Sequence, residues 1–162
     1  MTNAIDGTLL YRATRDSFNA SAFHRLCNGE ENTLTIIQTN SNYVFGGYSS
    51  EKWANGCVSD SSAFIFSLRR NGISQVYKFL ITQPKCAIFG HPNYGPTFGG
   101  GHEIYVRDRS DIHIGSYSNF STLSYYEQPY TNIEEKNCFL AGNKQGWLTT
   151  EIEVYKIDEK IA

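Results

Sequence analysis

The chain has 162 residues, of which 19% are charged and 14% aromatic, and its formal net charge is −2. This length predicts a single domain over residues 1–162, and the weakly negative charge excludes a dedicated nucleic-acid binder. No stretch approaches the roughly 20 apolar residues of a membrane span, so we expect no membrane insertion.

The start of the chain and its cysteines indicate the compartment. The opening MTNAIDGT has neither the basic region nor the apolar run of a secretory signal. The cysteines Cys27, Cys57, Cys86 and Cys138 are widely separated and form no CxxC pair. Without an export signal, free thiols in a reducing compartment are the expected state, which predicts an intracellular location in the cytoplasm.

A helix is predicted over residues 16–28, after a short apolar segment at residues 9–11. Asp16 or Ser17 is a candidate N-cap, and Gly29 is placed to end the helix. The predicted apolar face has three-to-four spacing and consists of Phe18, Ala22, Phe23, Leu26 and Cys27.

A first glycine-aromatic block follows, TLTIIQTNSNYVFGGYSSEKW, at residues 33–53. Residues 33–39 predict a strand, residues 40–42 a turn, and Tyr43 the start of a return strand. Gly46 and Gly47 then indicate a bulge, a bend or a close backbone contact. Residues 49–53 form either a helical turn or a structured loop.

The middle of the chain predicts further strands. Residues 63–68 are almost continuously apolar, as in a strand buried on both faces. The dipeptide Asn71-Gly72 predicts a hairpin with a return strand over residues 74–81, and residues 86–89 predict another short strand.

A second glycine-aromatic block, GPTFGGGHEIYV, spans residues 95–106. It follows a turn-rich segment at residues 91–96, and its triglycine precedes a strand predicted at residues 102–107. Residues 116–137 lack clear periodicity and predict a long ordered loop. The remaining strands are predicted at residues 112–114, 138–140 and 148–157. The fold class is α+β, predominantly β: two antiparallel sheets packed as a sandwich with short flanking helices.

Motifs that would carry chemistry are weak. The FGGGH segment lacks the requirements of a phosphate loop, because a strand pattern follows it and no GK[ST] or GxGxxG occurs. His24 and Cys27 could face one metal, but four ligands are needed. His102-Glu103 is a candidate general-base pair, although neighbours on a strand point to opposite faces. We predict no catalytic residue, no cofactor and no metal.

Two alternatives remain open at this point. One is a hydrolase or thiol-dependent redox enzyme that uses a Cys/His pair, with Cys27 or Cys138 as the thiol. The other is a carbohydrate-binding sandwich, in which the tyrosines of residues 116–130 stack on sugars. The lack of an export signal counts against the second.

Several ordered blocks together resemble the TLDc domain of the oxidation-resistance protein family. The resemblance covers residues 9–157. Its blocks are LLYRATRDSFNASAFHRLCNG, the first glycine-aromatic block with FGGYSSEKW, SSAFIFSL, GPTFGGGHEIYVRD and LTTEIEVYKI. The animal branch has a longer glycine string followed by LW-x-D-x-x-L, so this sequence resembles a divergent variant.

The resemblance implies a two-sheet antiparallel sandwich, protection against oxidative stress, and binding to a subunit of the vacuolar-type proton ATPase, with regulation of that enzyme. It implies no catalytic residues and no cofactor. Exposed aromatics and fixed glycine loops suit recognition, so we predict partner binding by the two blocks. The predicted residues are Gly46, Gly47, Ser50, Glu51, Trp53, Gly99, Gly100, Gly101 and Glu103. Alternatively, the glycines and Trp53 only close the sandwich.

Overall fold

Two antiparallel sheets make up most of the molecule in the computed structural model, which describes residues 6–121 and 123–158. Within these residues the strands are β1 (Gly7–Arg12), β2 (Thr33–Thr39), β3 (Val44–Ser49), β4 (Gly56–Val58), β5 (Phe64–Arg70), β6 (Ile73–Leu80), β7 (Ile88–Gly90), β8 (Tyr94–Phe98), β9 (Ile104–Arg107) and β10 (Thr149–Ile157). The helices are α1 (Ala13–Asp16), α2 (Ala20–Cys27) and α3 (Ile133–Lys136), and Pro84–Cys86 forms a 3₁₀ turn.

The larger sheet has six strands in the order β1-β10-β2-β3-β5-β6. Its central strand β2 buries every second side chain, as the two-residue alternation of a strand requires. Ile37 of β2 lies opposite Phe45 of β3 on one side and Ile152 of β10 on the other. These three side chains are at most 2% exposed, and they form one wall of the core.

The smaller sheet has the order β4-β7-β8-β9 and supplies the other wall. Its inward side chains Ile88, Phe98, Ile104 and Val106 belong to the same buried cluster as those of the larger sheet. All strand pairs named for both sheets are antiparallel. The predicted fold class is therefore confirmed.

The helix predicted over residues 16–28 corresponds to α2, and its predicted start was wrong: α2 begins at Ala20, and Asp16 ends the separate helix α1. Ser17 has a φ of 102°, which interrupts the helical path between α1 and α2. The N-cap of α2 is Asn19 rather than Asp16 or Ser17. Asp16 instead accepts a hydrogen bond from the Arg12 backbone N–H. Of the predicted apolar face, Ala22, Phe23 and Cys27 are buried, and Phe18 and Leu26 are half-buried against the core.

Both predicted hairpins are confirmed. Strands β2 and β3 pair through the turn at residues 40–42, where Asn42 has a φ of 63°. Strands β5 and β6 pair through Asn71 and Gly72, whose φ values of 50° and 78° are the two positive values of a type I′ turn. Local turn chemistry and β-branched composition suffice to place these strands.

Three predicted strands were misplaced. Residues 112–114 form no strand, and Ile112 and Ile114 are exposed. Residues 138–140 form turns that continue from α3, since an apolar run does not by itself distinguish a strand from a buried turn. The strand expected at residues 86–89 begins only at Ile88, after the 3₁₀ turn.

The boundaries of two further segments differ from the predicted ones. The turn-rich segment at residues 91–96 already becomes strand β8 at Tyr94, and β9 begins at Ile104 rather than at residue 102. Residues 116–137 are mostly loop as predicted, with the short helix α3 near the end and position 122 outside the described residues. No helix in the described part of the chain is long and apolar enough to cross a membrane.

Candidate functional site

The two glycine-aromatic blocks meet in the core. A Cβ atom on Gly47 of β3 would lie 2.4 Å from the ring of Phe98, the last residue of β8. A Cβ on Gly46 would lie 1.8 Å from the carbonyl oxygen of Thr35 on β2. Of the three predicted alternatives, the close backbone contact is therefore correct for Gly46, within the larger sheet, whereas Gly47 makes room for a ring of the smaller sheet.

Trp53 lies in the same contact, and the expectation of an exposed aromatic was wrong for it. The indole is only 2% exposed and packs against Phe98, with ring centroids 5.5 Å apart, and against Phe23 at 5.2 Å. Its Nε1 donates a hydrogen bond to Thr33 Oγ1 at 3.1 Å. Trp53 thus stabilises the sandwich and offers no surface for a partner.

Ser50 and Glu51 begin the loop after β3, the structured-loop alternative of the prediction. The sequence reasoning missed Asp60, which anchors this loop. Its side chain is buried, with 4% of the residue exposed. Its carboxylate accepts hydrogen bonds from Ser50 N, Ser50 Oγ, Ser49 Oγ and Ser62 N, at 2.7–2.9 Å. The Asp-Ser-Ser sequence at residues 60–62 is the local signal that could have revealed it. Glu51 itself is exposed.

The triglycine makes a tight turn between β8 and β9. Gly99 has a φ of +85° and His102 a φ of 59°. Beneath this turn lies Glu103, which is fully buried. A Cβ on Gly99 would be 1.5 Å from Glu103 Oε2, so the glycine leaves the space that this carboxyl group fills.

Glu103 connects the turn to the loop at residues 124–125. Its Oε1 accepts hydrogen bonds from Tyr125 N at 2.7 Å and Ser124 Oγ at 3.1 Å. Its Oε2 has no hydrogen-bond partner among the described residues. Burial raises the pKa of this carboxyl group above its ordinary value. Glu103 therefore acts from within the fold and does not itself face a partner.

Six half-buried rings lie on the outer side of the smaller sheet, and we call them the aromatic face. They are Phe89, His91, Tyr94, His102, Tyr105 and Tyr117. Ring centroids are 4.8 Å apart between Tyr94 and Tyr105 and 4.9 Å between Tyr105 and Tyr117. The triglycine turn delivers His102 to this face, where His102 Nδ1 lies 2.9 Å from the Tyr117 hydroxyl.

Burial favours the neutral forms of three side chains of the aromatic face, His102, Tyr105 and Tyr117. Burial lowers the pKa of His102 and raises the pKa values of Tyr105 and Tyr117. Sequence reasoning missed this face because its members come from β7, β8, β9 and three loops. The side chains of His102 and Glu103 contact different groups, so the two do not form a general-base pair.

With this geometry established, the comparison with known families is decisive. The sequence matches the family model of the TLDc domain over residues 3–158. This chain belongs to the TLDc family. Among curated proteins no significant match is found.

The resemblance seen in the sequence is thus confirmed, and the motifs that carried it belong largely to the core of this TLDc domain. Gly46, Gly47, Trp53, Gly99 and Glu103 are buried. These buried residues contribute to the packing of the fold rather than to its exposed surface. Ser50, Glu51, Gly100 and Gly101 are at least partly accessible, and partner binding by these residues stays a prediction.

The cysteines differ from the expected free thiols. Cys57 of β4 and Cys86 of the 3₁₀ turn form a disulfide, with Cα atoms 4.7 Å apart. They are 29 residues apart in sequence, and the pairing of β4 with β7 brings them together. Widely spaced cysteines cannot reveal such a pairing, because it depends on the tertiary fold. Cys27 and Cys138 are free.

The geometry around the free thiols does not assemble a nucleophile and a base. Cys27 is fully buried, and burial raises its pKa to about 12. His24, on the same helix, directs Nε2 to the carbonyl oxygens of His91 and Tyr94 and Nδ1 to Asn28. In residues 6–121 and 123–158 no hydrogen bond joins a histidine to a cysteine or serine side chain, and no three His, Cys, Asp or Glu side chains could hold a metal. TLDc domains are generally non-catalytic.

Proposed function

We propose that this TLDc domain is a non-catalytic protein-interaction module that contributes to resistance against oxidative stress. In this proposal it acts by binding a subunit of the vacuolar-type proton ATPase and regulating that enzyme. Family membership supports the general role, and the resemblance to the oxidation-resistance proteins supports the partner.

The observation that carries an interaction role is the aromatic face. Tyrosine rings combine a large apolar surface with a polar tip and lose little conformational entropy on binding, so tyrosine is common in binding hot spots. Here three tyrosine, two histidine and one phenylalanine rings are half-exposed and pack against one another on a sheet. A rigid surface of this kind needs little reorganisation when a partner binds.

The exposed end of the loop at Ser50 and Glu51, and the accessible glycines Gly100 and Gly101, complete the proposed binding region. The buried residues of the earlier prediction act indirectly. Gly47, Trp53 and Glu103 fix the positions of the loops that present the accessible groups.

Co-purification under native expression, followed by mass spectrometry, tests this proposal. Tyr105→Thr removes one ring from the aromatic face and keeps a residue that suits a strand. Glu51→Lys reverses the charge of the loop. The matched control is Tyr155→Thr, because Tyr155 is a half-buried tyrosine on β10 of the other sheet.

We expect the native chain and the Y155T control to retain ATPase subunits, and Y105T or E51K to lose them. Retention of the same partners by both Y105T and E51K would refute the binding region. Absence of any ATPase subunit from the native sample would refute the proposed partner.

A further inference from the structure

Strand β6 forms one edge of the larger sheet and pairs with β5 on its other side. Its end is covered by residues 125–127: Glu127 N donates to the Leu80 carbonyl oxygen, and Leu80 N donates to Glu127 Oε2. Backbone groups of a strand alternate in direction, and Ile81 N donates to Ala63 on the β5 side. Lys78, two residues before Leu80, therefore points its N–H and C=O to the open edge.

This edge lacks most of the devices that protect edge strands. Proteins usually cover them or place charges and prolines there. Strand β6 has no proline and one charged residue, Lys78. It instead exposes Ile73 by 68%, Val76 by 73% and Leu80 by 48%. The pairing of β6 with β5 is irregular between Ser67 and Arg69, so β6 pairs regularly with β5 at residues 77–80.

A groove of about 980 Å³ lies beside this edge, between β6 and the loop that leads to α3. Tyr77, Phe79 and Phe139 contribute to its aromatic lining, and their rings pack in mutual contact. Tyr130 at the groove is fully exposed. An aromatic groove next to unpaired backbone groups is what binding of an extended strand requires, since pairing gives affinity and pockets select side chains.

Charge indicates which strand fits. Residues 61–102 contain four basic residues, Arg69, Arg70, Lys78 and Lys85, and no Asp or Glu. The groove is lined by Lys78, whose Nζ lies 4.2 Å from the Phe64 ring centroid, and by Lys136, whose Nζ donates to Gln128 Oε1. The carboxylate of Glu127 accepts from Leu80 N. Glu127 thus satisfies the N–H of Leu80, and the two lysines lie beside the part of the edge that stays open.

We propose that the β6 edge and its groove bind an extended acidic segment of a partner protein. The segment pairs as an added strand with the backbone of Lys78, and one of its apolar side chains enters the aromatic groove. This surface is separate from the aromatic face, and its occupancy does not depend on the identity of the partner proposed above.

Fluorescence anisotropy with a labelled peptide that alternates Glu and Val tests the proposal. Two probes serve as controls: the same pattern with Lys for Glu, and the acidic peptide with alternate backbone nitrogens methylated. We expect each control to bind at least about tenfold more weakly, because the first loses charge complementarity and the second loses strand pairing. Hydrogen exchange at the Lys78 amide should slow only with the acidic peptide.

Variants of the chain complete the test. Lys78→Glu should reduce the affinity for the acidic peptide by at least about tenfold and increase the affinity for the Lys peptide. Lys144→Glu, a charge reversal at an exposed position away from the groove, is the matched control and should leave binding unchanged. Unchanged thermal unfolding of K78E shows that a loss of binding is not a loss of fold.

Equal affinity for the acidic and basic peptides, or no loss on backbone methylation, would overturn the proposal. Concentration-dependent dimerisation of the peptide-free chain that K78E changes would overturn it too, because the occupant would then be a second copy. Y105T should bind the acidic peptide normally, so failure at this edge and failure of the aromatic face are distinguishable.

Discussion

Gly47 and Phe98 join the two sheets at a point where no side chain fits on the glycine. The ring of Phe98 occupies the space that a Cβ on Gly47 would need, at a separation of 2.4 Å. Because Phe98 is fully buried between Trp53 and the larger sheet, it has no free space into which it can move. The spacing of the sheets at this point is therefore set by one glycine and one phenylalanine.

Replacement of Gly47 by alanine should destabilise the domain by about 1–3 kcal/mol, because overpacking forces a shift of the Phe98 ring. Urea unfolding followed by circular dichroism measures the change. Gly101→Ala is the control: its Cβ would meet nothing closer than 3.5 Å, so we expect a change within about 0.5 kcal/mol. Equal losses for the two variants would contradict the packing argument.

The buried Glu103 should make stability depend on pH. Its pKa in the folded chain is raised by burial above its ordinary value of 4.5. A carboxyl group with a raised folded pKa favours the folded state fully below its unfolded pKa, and this contribution is lost as pH rises through the folded pKa. Glu103→Gln removes that titration and keeps an oxygen for Tyr125 N and Ser124.

The free energy of unfolding of E103Q minus that of the native chain should therefore increase from about pH 4 to about pH 7.5. Urea titrations at both pH values measure it. The difference cancels the titration of the other carboxyl groups. A difference that stays constant or falls with pH would show that Glu103 does not carry a raised pKa in the folded domain.

The cysteines should react with iodoacetamide in three classes. Cys138, half-buried and free, should be alkylated in the native domain, while Cys27 should react more slowly than an exposed thiol because its pKa is raised to about 12. Cys57 and Cys86 should react only after reduction. Peptide mass spectrometry assigns each site. Fast alkylation of Cys27 at neutral pH would instead support the thiol-enzyme alternative.

Loss of the disulfide should lower stability without abolishing the fold. For a closed loop of 29 residues, the chain-entropy relation gives about 3.5 kcal/mol for Cys57→Ser relative to the oxidised chain. Unfolding of the native chain with and without a reductant provides the comparison, and C57S should be insensitive to the reductant. A reductant-insensitive native chain would mean that the two sulfurs are not bonded in solution.

The sequence suffices for those features that local chemistry determines. Alternating β-branched residues and Asn-Gly turns depend on near neighbours, so the hairpins β2–β3 and β5–β6 follow from the residues alone. The ordered motif blocks add the family. The break at Ser17 was missed, because no local propensity of the sequence Arg15-Asp16-Ser17 requires a positive φ there.

The candidate site depends on contacts between distant segments, and this is why sequence reasoning placed it poorly. Tryptophan is a residue type that is common in binding surfaces, yet Trp53 is buried against Phe23 and Phe98. The aromatic face arises only when three strands and three loops align their rings. Cys57 and Cys86 meet through the pairing of β4 with β7. No period along the chain encodes any of these three arrangements.

The burial of both tryptophans has a practical consequence for spectroscopy. Trp53 and Trp147 are the two tryptophans of the chain, and each is 2% exposed, whereas the rings of the aromatic face are tyrosine, histidine and phenylalanine. Selective excitation of indole therefore monitors the interior, and an external quencher such as iodide should barely reach it. Binding of a partner to the aromatic face should therefore leave the indole emission almost unchanged, whereas opening of the domain should change it.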